Sequence, residues 1–256
     1  MNFLVALRAV LDPAGFTVNR KAQKVFINRQ SYIINPSDRN ALEAALSLAG
    51  ANGSVTAVAI GGKPAEDALR LARATGAGRA IWVADPDKTH PDALCVATVL
   101  QRVVAHAGPF DLVLLGAEVL DADLAQVAAR LAAALDWPFV EAAYQVTARP
   151  EGGLALVVAA GRPDQYRWVG VDSPAVASVA RDSNKPRFAT ASQINTIYTT
   201  PGSVETVTFA DLGLDPAELA PATRLRGESF PPERTLGRML DPDGALAELA
   251  EALKRG

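Results

Sequence analysis

The residues of this chain with the clearest chemistry stand at two helix starts and at a glycine pair. Asn35-Pro36-Ser37-Asp38 sets a good capping residue before a proline, which suits the first helical position. Asp121-Ala122-Asp123 precedes Leu124-Ala125-Gln126-Val127 and an alanine-rich run to Leu135. The first amides of a helix lack partners inside it and the dipole there favours negative charge, so the expected guest is a phosphate. Gly61-Gly62 closes an apolar run that ends at Ile60 and lets backbone approach a ligand closely. A tight strand-to-helix turn is the plainer use of that pair. Neither GxGxxG nor GxxxxGK[ST] occurs.

Other chemistry is thin. Asp121 and Asp123 could act as acid and base or hold a metal, but acids in a first turn also cap a helix, which is the simpler role. Cys95 is the single cysteine, so no internal disulfide or cysteine cluster can form, and it reads as a small core residue. His90 and His106 fall at the ends of one helical run. Trp82, Trp137 and Trp168 lie in or beside strands, where packing is the expected role rather than an electron relay. No nucleophile stands with a base, so the chain is expected to bind rather than to catalyse, and no metal is expected.

The net charge of −3 has both signs spread along the chain, which excludes a polybasic nucleic-acid footprint. No apolar run reaches the roughly 18 residues of a membrane span. The opening Met1-Asn2-Phe3-Leu4-Val5-Ala6 enters a strand at once, without a signal-peptide pattern, and a cytoplasmic protein is expected.

Alternating elements must position these residues. Phe3–Leu7, Val55–Ile60, Ala80–Val83 and Asp111–Leu115 read as buried strands. Helices are expected from Asn35 to Gly50, from Pro64 to Ala74, within His90–Ala107 and from Asp121 to Leu135, and Phe16–Ile27 reads as a hairpin. Such alternation implies right-handed crossovers and a doubly wound, mostly parallel α/β sheet of Rossmann-like type. Its ligand would sit beyond the carboxyl ends of the strands. The runs Val140–Ala148, Gly153–Ala160, Gln165–Val171 and Ala175–Ala180 predict an antiparallel meander that edges the sheet. From Pro201 the rhythm is lost, and prolines 216, 221, 231 and 232 predict an extended arm before a last helix, Asp241–Arg255. The expected organisation is a nucleotide-binding domain over 1–200 and an arm over 201–256.

At these same segments the sequence resembles the electron transfer flavoprotein β family. LVALRAVLD (4–12), INPSDRNALEAAL (34–46), GRAIWVAD (78–85), LLGAEVLDADLAQVAARLAAALDWP (114–138) and NKPRFATASQI (184–194) match that family's motifs in order and spacing. The resemblance implies an electron carrier that works with an α subunit, which holds most of a redox-active FAD. It implies that this chain holds AMP, or a second FAD in electron-bifurcating members that oxidise NADH. The implied pocket is lined by Ala6, Asn35, Pro36, Ser37, Asp38, Ile60, Gly61, Asp121, Asp123, Leu124, Ala125, Gln126 and Val127. Implied partners are acyl-CoA or other flavin dehydrogenases and a quinone reductase, with docking through a loop after Thr190 that involves Arg187, Phe188, Ala191 and Ser192.

The sequence departs from the pattern at two places. Ala125 and Val127 replace the Asn and Thr of AMP-binding members, and the Ala-Gln-Val run is closer to the bifurcating group. Ala191 stands where the docking loop carries a leucine, and Thr196–Thr200 lacks its lysines. A stand-alone nucleotide-binding regulator of universal-stress type is the remaining alternative, although the phosphate run of that class is absent.

Overall fold

The computed structural model describes residues 1–85, 92–120, 126–149, 152–159, 165–215, 219–223, 229–230 and 244–254. The chain divides into two compact units, Met1–Arg224 and Leu225–Gly256.

The first unit is built on a seven-stranded sheet. Its first strand, β1 (Asn2–Ala6), is followed by β2 (Ala9–Leu11), a β3–β4 ribbon (Phe16–Asn19 and Lys24–Ile27) and β5 (Tyr32–Ile34), which pairs with β2. Then come α1 (Pro36–Ala49), β6 (Ser54–Gly61), α2 (Lys63–Thr75), β7 (Arg79–Ala84), α3 (Ala93–Ala107), β8 (Leu112–Gly116) and α4 (Gln126–Leu135). The remaining elements are β9 (Phe139–Ala143), β10 (Gln145–Ala148), β11 (Leu154–Ala159), β12 (Tyr166–Val171), β13 (Ala175–Val179), α5 (Ala191–Thr199) and β14 (Glu205–Val207).

The sheet order is β14-β7-β6-β1-β8-β13-β9, and every pairing in it is parallel. Strand β1 is central and read as apolar throughout because both of its faces are covered. Phe3 and Val5 pack with Ala41, Leu42 and Ala45 of α1 and Leu69 of α2. Leu4, pointing the other way, packs with Val99 and Leu100 of α3 and Leu131 of α4. The run β7-β6-β1-β8 reverses direction between β1 and β8, where a doubly wound sheet opens a crevice at its carboxyl edge.

The antiparallel part exists, but as a separate three-stranded sheet, β10-β11-β12. The expectation of one meander from Val140 to Ala180 needs correction at both ends. β9 and β13 join the central sheet and pair with each other in parallel, and all five residues of β13 are buried. Near the end of β9 the chain bends at a bulge: Ala142 has φ 49°, and its amide donates to the buried Ser178 hydroxyl at 2.8 Å. One apolar run thus serves two sheets, which periodicity alone cannot reveal.

The rhythm after Pro201 is also not lost at once. β14 adds a parallel edge strand beside β7, with an Arg79–Glu205 ion pair at 2.8 Å. Leu212 and Leu214 are buried in the core, and Asp92, capping α3, accepts the amides of Ala222 and Thr223 at 2.8 and 3.1 Å. Three residues of strand are too few to show a period of two. In the second unit the described helix is α6 (Ala245–Lys254), with Leu246, Leu249 and Leu253 exposed. No helix among the described residues is long and apolar enough to cross a membrane.

The central position of β13 sets a stability test. Ala177→Asp buries an unpaired charge between β8 and β9 and is expected to cost at least about 4 kcal/mol in urea unfolding. Tyr166→Ser, on the outer face of β12, loses only an edge-to-face ring pair and is expected to cost about 1 kcal/mol.

Candidate functional site

The carboxyl ends of β1, β6, β7 and β8 gather most of the described residues expected to bind a ligand. Asp38, in the first turn of α1, is buried, and its two carboxylate oxygens have separate duties. One accepts the Arg8 amide at 2.8 Å, just beyond β1; the other accepts the Gly116 amide at 2.9 Å, at the end of β8. Burial pushes its carboxyl up from 3.8 to about 7, against the pull of the Arg8 and Gly116 amides, the Asn35 side chain and the Arg8 guanidinium. Asp38 therefore positions the rim rather than presenting a free carboxylate to a ligand.

Asn35 occupies the capping position of α1, and Pro36 begins the helix, as the sequence predicts. The Asn35 side chain does not cap. Its amide donates to the Glu118 carbonyl at 2.7 Å and its oxygen accepts the Leu120 amide at 3.3 Å. It holds the loop after β8 against α1. Ser37 is buried beside it. A Cβ on Gly116 would fall 2.3 Å from an Asp38 carboxylate oxygen and 2.7 Å from the Ser37 Cβ, so only glycine permits this approach.

Ala6 and Ile60 are half-buried strand ends on the α3–α4 side. Gly61, with φ 132°, turns the chain from β6 toward α2. Its carbonyl accepts the Trp82 indole N–H at 2.7 Å and the Asp85 amide at 3.2 Å. Sequence reasoning gave Trp82 a packing role and passed over Asp85; both anchor the Gly61 peptide. The only signal was their place at the end of a strand beside Gly61.

Asp121, Asp123, Leu124 and Ala125 lie outside the described residues, as does His90. Gln126 is exposed and accepts from the Arg130 guanidinium at 2.9 Å, while Val127 is buried against the sheet. Cys95 is buried with its thiol on the Leu219 carbonyl, in keeping with a small core residue. Among the described residues no group of three or more His, Cys, Asp or Glu could hold a metal ion.

Farther along α1, Asn40 and Asn184 exchange amide hydrogen bonds at 2.9 Å. Arg187 makes a two-pronged ion pair with Glu43, both contacts at 2.9 Å, and its amide donates to Glu43 as well. Burial alone would raise the Glu43 carboxyl, but Arg187 holds it below its ordinary value. Phe188 is 82% exposed, with the Arg39 guanidinium 5.1 Å from its ring centre. The segment expected as a docking loop after Thr190 is a helix, α5. Ala191 and Ser192 form its exposed first turn, and Thr190 and Gln193 make a capping box. The Thr-x-x-Gln spacing was the legible signal for that helix.

The electron transfer flavoprotein domain model matches residues 23–212. The chain belongs to the electron transfer flavoprotein β family. A mitochondrial electron transfer flavoprotein subunit beta of Oryza sativa subsp. indica is 32% identical, with 99% of this chain and 98% of the relative covered. Electron transfer flavoprotein subunit beta of Thermoanaerobacterium thermosaccharolyticum is 30% identical over 86% of this chain and 83% of the relative. The caffeyl-CoA reductase-Etf complex subunit CarD of Acetobacterium woodii is 26% identical over 94% of this chain and 92% of its own length. Subunits of this family are electron carriers rather than catalysts, and a β subunit implies an α-subunit partner. The family motifs at 34–46 and 184–194 are the two segments that Asn40, Glu43, Asn184 and Arg187 bind together.

The Asp38 clamp has a pH signature. Its folded value near 7 lies above its unfolded value near 3.8, so the folded state holds the extra proton between them. The associated stability is complete below about pH 4 and is lost as pH rises through about 7. Asp38→Asn is expected to flatten that decline in unfolding curves taken from pH 4.5 to 8. It should also cost about 1–3 kcal/mol at pH 5, because an amide nitrogen would face one of the two backbone donors.

Proposed function

We propose that this chain is the β subunit of a heterodimeric electron transfer flavoprotein and that it holds AMP in the crevice over β1, β6 and β8. The observation that carries this reading is the Asp38–Asn35 clamp. It fixes the start of α1, the end of β1 and the loop after β8 around the switch point of a family member. In this reading Gly61-Gly62 and the rim at Ala6 and Gly116 admit the nucleotide. Asn35 and Asp38 hold the walls, and the segment from Asp121 to Val127 completes the seat. Gly61, with its peptide fixed by Trp82 and Asp85, gives the close backbone approach that a phosphate needs. Redox FAD, held mainly by the α subunit, supplies the electron chemistry when bound. The residues of this chain wall it from water and hold the subunits in place.

The outer face of β10-β11-β12 suits the α subunit. Tyr144 and Tyr166 stack edge to face at 5.3 Å, and Trp168 beside them is 61% exposed. Amphipathic aromatics of this kind are enriched at subunit interfaces. Of the arm expected over 201–256, the part after Arg224, ending in the Leu246, Leu249 and Leu253 stripe of α6, is assigned to wrapping that same partner. In the cytoplasm this carrier would take electrons from acyl-CoA or other flavin dehydrogenases and pass them to a membrane quinone reductase or similar acceptor.

Mass spectrometry of nucleotide released from the co-expressed pair tests the assignment: one FAD and one AMP per heterodimer are expected. Two FAD would instead give the bifurcating type, and a flavin-free monomer would refute the reading altogether. Docking is tested separately at Phe188, an exposed aromatic braced by Arg39. Phe188→Ala is expected to leave flavin and AMP content unchanged and to lower kcat/KM with a flavin dehydrogenase about tenfold.

A further inference from the structure

The β3–β4 ribbon carries an apolar face that the described residues leave open. Opposite residues in an antiparallel pair share a face, so the register puts Phe16, Val18, Val25 and Ile27 on one side. Thr17, Asn19, Lys24 and Phe26 take the other. On the apolar side Val18 is 53%, Val25 51% and Ile27 55% exposed. A two-stranded ribbon with nothing on its apolar face is marginally stable in water.

The base of the ribbon is nevertheless well fixed. The Asp12 amide donates to the Ser31 carbonyl at 2.9 Å, Gly15 N–H to Asp12 at 3.0 Å and Asn28 N–H to Gly15 at 2.9 Å. The Asn28 side chain donates to the Thr17 hydroxyl at 2.6 Å. A Cβ on Gly15 would meet the Arg29 carbonyl oxygen at 2.2 Å, so the two chains cross there in contact. The ribbon is held out as an arm.

Its charge is one-sided. Between Asp12 and Asp38 the sequence has Arg20, Lys21, Lys24 and Arg29 and no carboxylate. With the whole chain at −3 and this segment at +4, the remainder sums to −7. The cations Arg20, Lys21 and Lys24 sit at or beside the turn, and the aliphatic residues lie on the flanks. A finger that enters a bilayer carries its apolar residues at the tip, so this arrangement suits a protein groove instead. A two-fold pairing of ribbons from two copies would set like charges against each other.

We propose that this ribbon is an interaction arm. Its face of Phe16, Val18, Val25 and Ile27 lies in an apolar groove of the partner subunit, whose carboxylates meet Arg20, Lys21 and Lys24. The assignment rests on the β-subunit reading above and adds a third grip on the same partner, apart from the aromatic face of β10-β11-β12 and the segment ending in α6.

Hydrogen exchange read by mass spectrometry, on the co-expressed heterodimer and on the isolated chain, tests it. Amides 17–27 are expected to exchange about tenfold or more slowly in the heterodimer. The variant Val18→Ser/Val25→Ser/Ile27→Ser should weaken association about tenfold or more, with the circular dichroism of the isolated chain unchanged. Arg20→Glu/Lys21→Glu/Lys24→Glu should slow association about tenfold at low salt and less at high salt. If a flavin-loaded heterodimer forms while the ribbon exchanges as in the isolated chain, the arm is refuted and the β-subunit reading stands. If no heterodimer forms, both fall. Protection that grows with concentration of the isolated chain would assign the face to a second copy. Protection appearing only on vesicles of phosphatidylcholine and phosphatidylglycerol would assign it to a membrane. Either result overturns the proposal.

Discussion

A single carboxylate holds the crevice edge of this fold together. β1 and β8 are paired through Val5 and Leu114, but beyond Ala6 the chain follows β6 instead, with the Leu7 amide on the Val58 carbonyl. The strands part at that point, and Asp38 spans the gap with one oxygen on each side. It takes the place of the missing ladder rung and sets how far the crevice opens. The arrangement requires a residue without Cβ at position 116 and a short acid in the first turn of α1. Burial of that acid is unfavourable in itself, and the two amides compensate by giving it fixed donors.

α1 extends this constraint away from the crevice. Its first turn holds Asp38, and its next two turns hold Asn40 and Glu43, which bind Asn184 and Arg187. Residues far apart in sequence are thus fixed to one rigid rod. Asn40 and Glu43 on the helix and Asn184 and Arg187 on the later segment complete each other's hydrogen bonding. The side-chain NH2 of the buried Asn40 finds its acceptors on Asn184, and its oxygen accepts the Asp182 amide at 3.3 Å.

Much of this was legible in the residues themselves. The continuous apolar runs at Phe3–Leu7 and Val55–Ile60 marked strands covered on both faces, and Asn35-Pro36 marked the start of α1. What could not be read was which partner each polar side chain would choose. Asn35 has the right type for a cap, but its amide meets the loop after β8. Asp38 read as a ligand contact because nothing local shows that Arg8 and Gly116 converge on it. The run Val140–Ala148 read as one strand because the bend at Ala142 is set by a distant hydroxyl, that of Ser178. β14 went unseen because its three residues are recruited by β7 rather than by any pattern of their own.

The outward-facing aromatics have a consequence for the chain before assembly. Trp168, Tyr166 and Phe188 each expose about half or more of their surface, and α6 turns three leucines outward. An orphan copy therefore carries apolar area that water tolerates poorly and that other orphans can bind. Where the α subunit covers the aromatic face and α6 as proposed, synthesis in step with it, in equal numbers, shields them soonest. Surplus copies would be the first to meet chaperones and proteases.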